Sequence, residues 1–173
     1  FYNNRSLTSV TFDEGVTQIG SDAFNSCSNL EQINLPQSLE YIAPGAFDNC
    51  RKLSKIKLPS SIKEIGSYTF ANNRTFTNFE FPSMVTRIGD SAFSNCRKLG
   101  NITLPENLTY IGREAFAYNQ VMTEVTIPDT LATLGNGAFA YCLNLERVIF
   151  PEHAVINLTD GSFKFCTKLR EIN

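Results

Sequence analysis

The chain of 173 residues contains no tryptophan, two methionines and one histidine, His153. No apolar run approaches the roughly 20 residues that a membrane-spanning helix needs, and no signal-peptide pattern is present. A net charge of −2 gives no general reason to expect nucleic acid or an anionic membrane as a partner. Composition therefore indicates a folded protein and excludes the membrane-spanning and strongly basic classes.

Motifs that carry common chemistries are also missing. The sequence has no GxGxxG or Walker-type loop, no nucleophile elbow and no HExxH. The carboxylates of Glu14, Glu64, Glu106 and Glu114 show no convergent pair, and no aromatic-interleaved basic groove for single strands is evident. We therefore predict a non-enzyme without cofactor or metal.

What the chain does have is a repeat. Phenylalanine recurs every 23 residues at Phe1, Phe24, Phe47, Phe70, Phe93, Phe116 and Phe139, and Phe163 follows one residue late. A fixed period of this length is typical of stacked units, each of which buries its apolar face only against its neighbours. Because the repeat runs over residues 1–173 without a linker, we predict one elongated domain, and we expect both ends to fall inside a repeat of a longer protein.

One unit reads AFxxCxxLxxIxLPxxLxxIGxx. The segment from Leu30 to Pro36 alternates apolar and polar residues, as a strand with one buried face does, and its copies should pair in parallel at ~4.8 Å spacing in one sheet. A proline ends most copies because it has no N–H for the ladder. A second apolar column, which contains Ile19, Ile111 and Leu134, is followed in most units by a glycine, which predicts either a positive φ or a close backbone approach.

Short polar residues precede most copies of Ala-Phe, among them Ser21-Asp22 and Asp90-Ser91. Such residues cap helices, so they predict one short helical or 3₁₀ turn per repeat. The pattern as a whole predicts an α/β solenoid of about seven to eight repeats of 23 residues.

The LxxIxL segment resembles the leucine-rich repeat, and the complete 23-residue unit is similar to the BspA-like subfamily over the whole chain. The resemblance implies a right-handed superhelix with one parallel sheet and short helical or 3₁₀ turns opposite. It also implies a surface or secreted protein of bacteria or protists, associated with adhesion to host or extracellular-matrix proteins. One departure is that the Asn or Cys expected after the strand is replaced, for example by Ser38 and Ser61.

The position three residues after each phenylalanine carries the polar column instead. It reads Asn4, Cys27, Cys50, Asn73, Cys96, Asn119, Cys142, Cys166. Thiols strung along the stack do not converge as zinc ligands must, although disulfides Cys27–Cys50 and Cys142–Cys166 remain conceivable. The exchange of Cys with Asn favours reduced, buried thiols that donate a hydrogen bond to a loop carbonyl.

Three groups of outward residues are candidate partner sites. They are the strand-face pair Lys55 and Lys57, a basic edge of Arg51, Arg74 and Arg97 that Arg5 extends, and the aromatic column Tyr118, Tyr141 and Phe165. An ordinary solvated face would explain the lysines and arginines. The aromatic residues could be an anchor patch or could pack against a following repeat or domain.

We therefore predict a non-catalytic protein- or glycan-binding module of a cell-surface or secreted, adhesin-like protein. The alternative is a structural spacer that projects a separate functional domain absent from this chain.

Overall fold

The computed structural model describes residues 1–152, 155–159 and 161–173. Among these residues the chain forms twelve short β-strands, which fall into two columns along the stack. The first column contains β1 (Ser9–Thr11), β3 (Gln32–Asn34), β8 (Glu124–Thr126), β10 (Arg147–Ile149) and β12 (Glu171–Ile172). The second contains β2 (Gln18–Ile19), β4 (Tyr41–Ile42), β5 (Glu64–Ile65), β6 (Arg87–Ile88), β7 (Tyr110–Ile111), β9 (Thr133–Leu134) and β11 (Asn157–Leu158).

All strand pairs are parallel and join residues one repeat apart. Ser9 lies opposite Gln32, which is 23 positions later. Between β9 and β11 the offset is 24 positions, from Thr133 to Asn157, so the extra residue of the last repeat falls before β11. The one-residue delay before Phe163 predicts a bulged loop from His153 to Asn157, and the first residues of that loop lie outside the described ones.

The expected single sheet is wrong, because each column is interrupted. The second column divides into β2-β4 and β5-β6-β7-β9-β11, and the first into β1-β3 and β8-β10-β12. Residues 55–57, 78–80 and 101–103, which continue the first column, form no strand.

We attribute the interruption to aromatic substitution at the centre of the stack. Phe76, Phe79 and Phe81 occupy strand positions that hold mainly aliphatic residues elsewhere. The Phe79 ring lies 5.2 Å from that of Phe70 and 4.7 Å from that of Phe93, between centroids. Larger rings need more room than leucine or isoleucine in a close-packed interior. The backbone around them moves out of strand geometry, so the strand pairing of the first column is lost there.

The side opposite the first strand column is built from turns, and the described residues contain no helix. The reason lies in where the amide N–H groups donate. The Ala23 and Asn25 amides donate back to carbonyls of their own turn, whereas the Phe24 amide between them donates to Ala46 of the next repeat at 2.8 Å. Because alternate N–H groups leave the turn, consecutive 3₁₀ bonds cannot form. The helical or 3₁₀ turns of the α/β prediction are therefore not confirmed, and the fold is a parallel-strand β-solenoid.

The glycines that follow the second apolar column allow a close backbone approach, which is one of the two roles predicted for them. They do not have positive φ. A Cβ on Gly112 would lie 2.6 Å from the Asp90 nitrogen, and one on Gly135 would lie 2.5 Å from the Gly112 carbonyl carbon. The repeats therefore approach too closely at these glycines to admit a side chain, whereas Gly20 has open space around it.

The core is a continuous stack of phenylalanine rings flanked by aliphatic columns. Successive rings lie 5.2–5.8 Å apart between centroids and within 9° of parallel, except for Phe70 and Phe93, which are inclined by 28°. In the last repeat the sequence pattern predicts Val155 as the member of the apolar column that contains Leu131, and this is wrong, because Val155 is 94% exposed. Ile156 packs against the core in its place, because the inserted residue shifts the register.

The close approach at Gly135 gives a direct test of the stacking. We expect Gly135→Ala to lower the free energy of unfolding by about 1–3 kcal/mol, since the added methyl group would overlap neighbouring backbone. The matched control is Gly20→Ala in the same column, which should be neutral or slightly stabilising. Urea unfolding followed by circular dichroism measures both, and equal effects would contradict the packing described here.

Candidate functional site

The residue two positions after each repeat phenylalanine, here called the +2 position, has left-handed backbone in every repeat. Its φ values lie between 57° and 63°. The residues are Asn3, Ser26, Asn49, Asn72, Asn95, Tyr118, Tyr141 and Phe165. Asparagine tolerates this conformation better than most residues, whereas a bulky side chain there is an outlier. Asparagine in four of the first five repeats thus follows from the backbone, and the aromatic residues do not.

The hydrogen bonding shows why even an aromatic residue keeps this conformation. The Tyr118 amide donates to the carbonyl of Ala140 at 2.9 Å, and the Tyr141 amide donates to that of Lys164 at 2.8 Å. Each bond crosses to the next repeat and requires the left-handed turn. The backbone therefore imposes the conformation, and a bulky residue there costs roughly 1–2 kcal/mol relative to one that adopts it freely.

Tyr118, Tyr141 and Phe165 form an aromatic ladder on the surface. The Tyr118 and Tyr141 rings lie 4.6 Å apart and 6° from parallel, and the Tyr141 and Phe165 rings lie 4.7 Å apart. Tyr118 is 40% exposed and Phe165 is 49% exposed. Lys164 places its Nζ 5.0 Å from the centroid of the Phe165 ring. The ladder is thus a continuous, accessible apolar surface with one cation at its end.

The predicted basic edge lies on the same side of the solenoid, where the residue four positions after the repeat phenylalanine is an arginine in the first, third, fourth and fifth repeats. Arg51 donates through Nε to Oδ1 of Asn49 at 2.7 Å, and Arg97 donates to Oδ1 of Asn95 at the same distance. Arg5 makes the corresponding bond to Asn3 at 3.3 Å. The sequence predicted these arginines but not the asparagines that orient them. Two side chains at positions i and i+2 meet only for particular backbone conformations, so the spacing alone does not indicate a contact.

Lys55 and Lys57 lie elsewhere, on the interrupted strand side. Both are exposed and line a cleft of about 780 Å³ together with Gln32, Glu31 and Glu80. The structure therefore brings the arginines and the aromatic ladder to one edge, at opposite ends of the chain, and leaves the lysines apart from them.

A second charged cluster escaped the sequence reasoning. Arg147 forms a salt bridge with Glu124 on the adjacent strand. On its other side, Nη1 of Arg147 lies 3.7 Å from Oε2 of Glu171. The hydrogen bond from the Arg147 side chain to Glu124 raises the pKa of the guanidinium. The signal available in the sequence was the opposite charge of residues 23 and 24 positions apart, which parallel pairing places side by side.

The cysteines behave as predicted. All five are free and buried. Cys50 donates through Sγ to the carbonyl of Phe24 at 3.1 Å, Cys96 donates to that of Phe70 at 3.2 Å, and the other three thiols repeat this bond. Asn73 and Asn119 take the same role through Nδ2. The disulfide alternative is therefore wrong, because each thiol is directed at the phenylalanine carbonyl of the preceding repeat.

Burial makes these thiols poor nucleophiles. Desolvation raises the pKa of Cys50, Cys96 and Cys142 to about 12 and that of Cys166 to about 11. Across the part of the chain that the structure describes, no cluster of three or more His, Cys, Asp or Glu side chains could hold a metal ion. Within the same residues no helix is long and apolar enough to cross a bilayer. The surface thus offers contacts and charges, whereas the buried polar groups serve the fold.

These features define a repeat protein whose distinguishing residues lie on one edge of a β-solenoid. The family model described as the BspA type leucine rich repeat region matches residues 1–121 and 86–173, with six copies. The chain therefore belongs to the BspA-type leucine-rich repeat family. No curated protein matches the chain.

Solved structures of bacterial proteins share the fold. The leucine-rich repeat protein of T. pallidum is 29% identical, with a TM-score of 0.81, over 95% of this chain and 78% of its own. A leucine-rich cell surface protein of Faecalibacterium prausnitzii is 23% identical, with a TM-score of 0.66 and coverage of 96% and 59%. The pneumococcal vaccine antigen PcpA is 19% identical, with a TM-score of 0.67 and coverage of 96% and 56%. The chain thus spans less than two thirds of the length of the last two.

The buried thiols predict a dependence of stability on pH. The pKa of Cys96 is about 12 in the fold and 9.0 when unperturbed. Below about pH 8 both states hold the proton; above about pH 9 the unfolded thiol loses it while the folded thiol keeps it. We therefore expect the free energy of unfolding to be insensitive to this thiol up to about pH 8 and to fall from about pH 9 to 11.

The control for that pH series is Cys96→Asn, since asparagine serves at the same position in two other repeats. Other groups titrate alike in both proteins, so the difference in slope between parent and variant isolates the thiol. Urea unfolding at pH 7, 9, 10 and 11 measures it. Parallel curves for the two proteins would mean that Cys96 is not shielded from solvent.

Proposed function

We propose that this chain is a non-catalytic binding module of a cell-surface or secreted, adhesin-like protein, and that the aromatic ladder is its main contact with a protein ligand. The observation that carries the proposal is the pairing of surface aromatic rings with left-handed backbone at Tyr118 and Phe165, which are exposed, and at Tyr141 between them, which is half-buried. A conformation that costs energy with these side chains, and little with asparagine, is typical of residues kept for something other than the fold.

The chemistry of the ladder suits a protein partner. Aromatic rings offer a large contact area for little loss of side-chain entropy, and they are enriched among the residues that dominate protein interfaces. Stacking at 4.6 and 4.7 Å between centroids holds the three rings in place before a partner arrives, which lowers the cost of binding. A partner that packs on the ring edges would bury a surface that is already ordered.

The family and its structures support a surface location. Leucine-rich repeat proteins generally act without catalysis, and two of the similar structures are described as a cell surface protein and a vaccine antigen. By analogy, we place this chain outside the cell, where a host or extracellular-matrix protein would be its partner. Lys55 and Lys57 would add a weaker contact on the strand side.

Replacing the ladder by the residue found in earlier repeats separates binding from folding. We expect the triple variant Tyr118→Asn, Tyr141→Asn, Phe165→Asn to be as stable as the parent or more stable, because asparagine accepts the left-handed backbone. Binding to an immobilised basement-membrane protein extract, treated with heparinase so that only its proteins are read, should fall at least about tenfold, as it does when interface anchors are removed. Surface plasmon resonance and urea unfolding give the two readings.

The matched control is the double variant Tyr41→Asn, Tyr68→Asn. Both tyrosines are exposed, and Tyr68 also has positive φ, but neither belongs to the ladder. The control should bind as the parent does. If the ladder variant also retains parental binding, the ladder is not the contact; if the parent binds no component of the extract, the chain is a structural spacer for another domain.

A further inference from the structure

The arginine edge combines two features. Hydrogen bonds orient its side chains, and their positive charges make no salt bridge among the described residues. In three repeats Nε of the arginine is held by the asparagine two residues earlier. Such a bond restrains the plane of the guanidinium through Nε, and the described structure gives the Nη groups of these arginines no hydrogen-bond partner. The asparagine is at the +2 position, so the left-handed turn that joins the repeats also sets the direction of the arginine.

The charge on this edge is not neutralised within the protein. Among the described residues, the side chains of Arg5, Arg51, Arg74 and Arg97 take part in no salt bridge, whereas arginines 113, 147 and 170 do. All four of the unpaired arginines are exposed. Because the repeats stack at ~4.8 Å, positions from Arg5 to Arg97 extend over roughly 19 Å along the stack. This arginine row is a linear array of cations.

The second repeat interrupts the row and creates a pocket. Ser28 stands where the neighbouring repeats have Arg5 and Arg51, and the shorter side chain leaves a cavity of about 190 Å³ between the two guanidiniums. The cavity is lined by Asn3, Arg5, Ser26, Ser28, Asn49 and Arg51, with no carboxylate among them.

Few of the polar groups around the pocket are available as acceptors. The Asn3 and Asn49 side-chain oxygens accept from the arginines, and the Ser26 hydroxyl donates to Asn25 and accepts from Asn49. In the described structure the Ser28 hydroxyl has no side-chain hydrogen-bond partner. The groups left for a ligand are therefore the guanidinium donors on two walls, the side-chain NH₂ of Asn3, and the Ser28 hydroxyl.

This arrangement favours one class of anion. A carboxylate is planar and is served by a single guanidinium fork, whereas a tetrahedral oxyanion has oxygens that point to several walls at once. We propose that the arginine row binds a sulfated polysaccharide, with one sulfate ester held between Arg5 and Arg51 against Ser28 and further sulfates on Arg74 and Arg97. The site is independent of the aromatic ladder, and it gives the module a glycan contact beside its protein contact.

Heparin is the probe for this site. The parent should bind immobilised heparin with an affinity that falls as salt is raised, because ion pairing at an exposed surface is screened. The triple variant Arg51→Gln, Arg74→Gln, Arg97→Gln should raise Kd at least about tenfold, since charge-assisted hydrogen bonds are lost. The charge-matched control Lys63→Gln, Arg87→Gln, Arg113→Gln, away from the row, should change Kd less than about threefold if contact rather than net charge matters.

A second variant tests positioning alone. Asn49→Gly with Asn95→Gly keeps the left-handed backbone but removes the amides that hold Arg51 and Arg97. We expect weaker heparin binding, by about threefold to tenfold, with the free energy of unfolding unchanged or slightly lower. Unchanged heparin binding in both this variant and the arginine triple would overturn the proposal.

Competing polymers identify the anion. Fully desulfated heparin and polyglutamate should compete poorly with heparin for the parent. If either competes as well as heparin, or if polyphosphate binds more tightly than heparin, the assignment to sulfate esters is wrong. The aromatic-ladder variant should bind heparin as the parent does, so loss of the glycan site and loss of the protein site are distinguishable.

Discussion

The structure depends on the hydrogen bonds that cross between repeats on the turn side. From Phe24 to Phe139, each repeat phenylalanine donates its N–H to the following repeat at 2.7–3.0 Å, and the residues two before and two after mostly do the same. Buried amide groups must find partners, and here alternate groups find them in the adjacent repeat. The phenylalanine rings stack directly beneath these bonds, so polar and apolar contacts reinforce each other at one place. The strand side can be interrupted without dividing the stack.

Several unrelated features follow from that arrangement. The left-handed turn at the +2 position allows the crossing bond, and it explains the asparagines of the first repeats. Those asparagines orient the arginine row through Nε. The same turn carries the aromatic ladder in the last repeats, where the backbone preference is overridden. One structural requirement therefore supplies two different surfaces, according to which side chain occupies the position.

Much of this could be predicted from the sequence, because a period of 23 residues assigns each position to the inside or the outside. The exchange of cysteine with asparagine correctly indicated a buried donor, since both side chains can bond the carbonyl that the fold presents.

The short polar residues before Ala-Phe misled the helix prediction. They resemble caps, but their turn is closed by bonds to the next repeat, and such bonds are invisible in a local pattern. The interruption of the sheet depended on the volume of Phe76, Phe79 and Phe81, which a hydrophobic pattern does not distinguish from leucine. The surface candidates were found only as residue types, because their geometry depends on the left-handed turn.

Hydrogen–deuterium exchange in the native state tests most directly whether the turn side holds the stack together. The amides of Phe47 and Phe93 donate across repeats, whereas those of Lys55 and Lys57 make no backbone hydrogen bond in the described structure. Amides that open only with the global transition exchange slowest. The turn-side amides should therefore exchange far more slowly than those of residues 55–57. Equal protection, or slower exchange in the strand segment, would contradict the account.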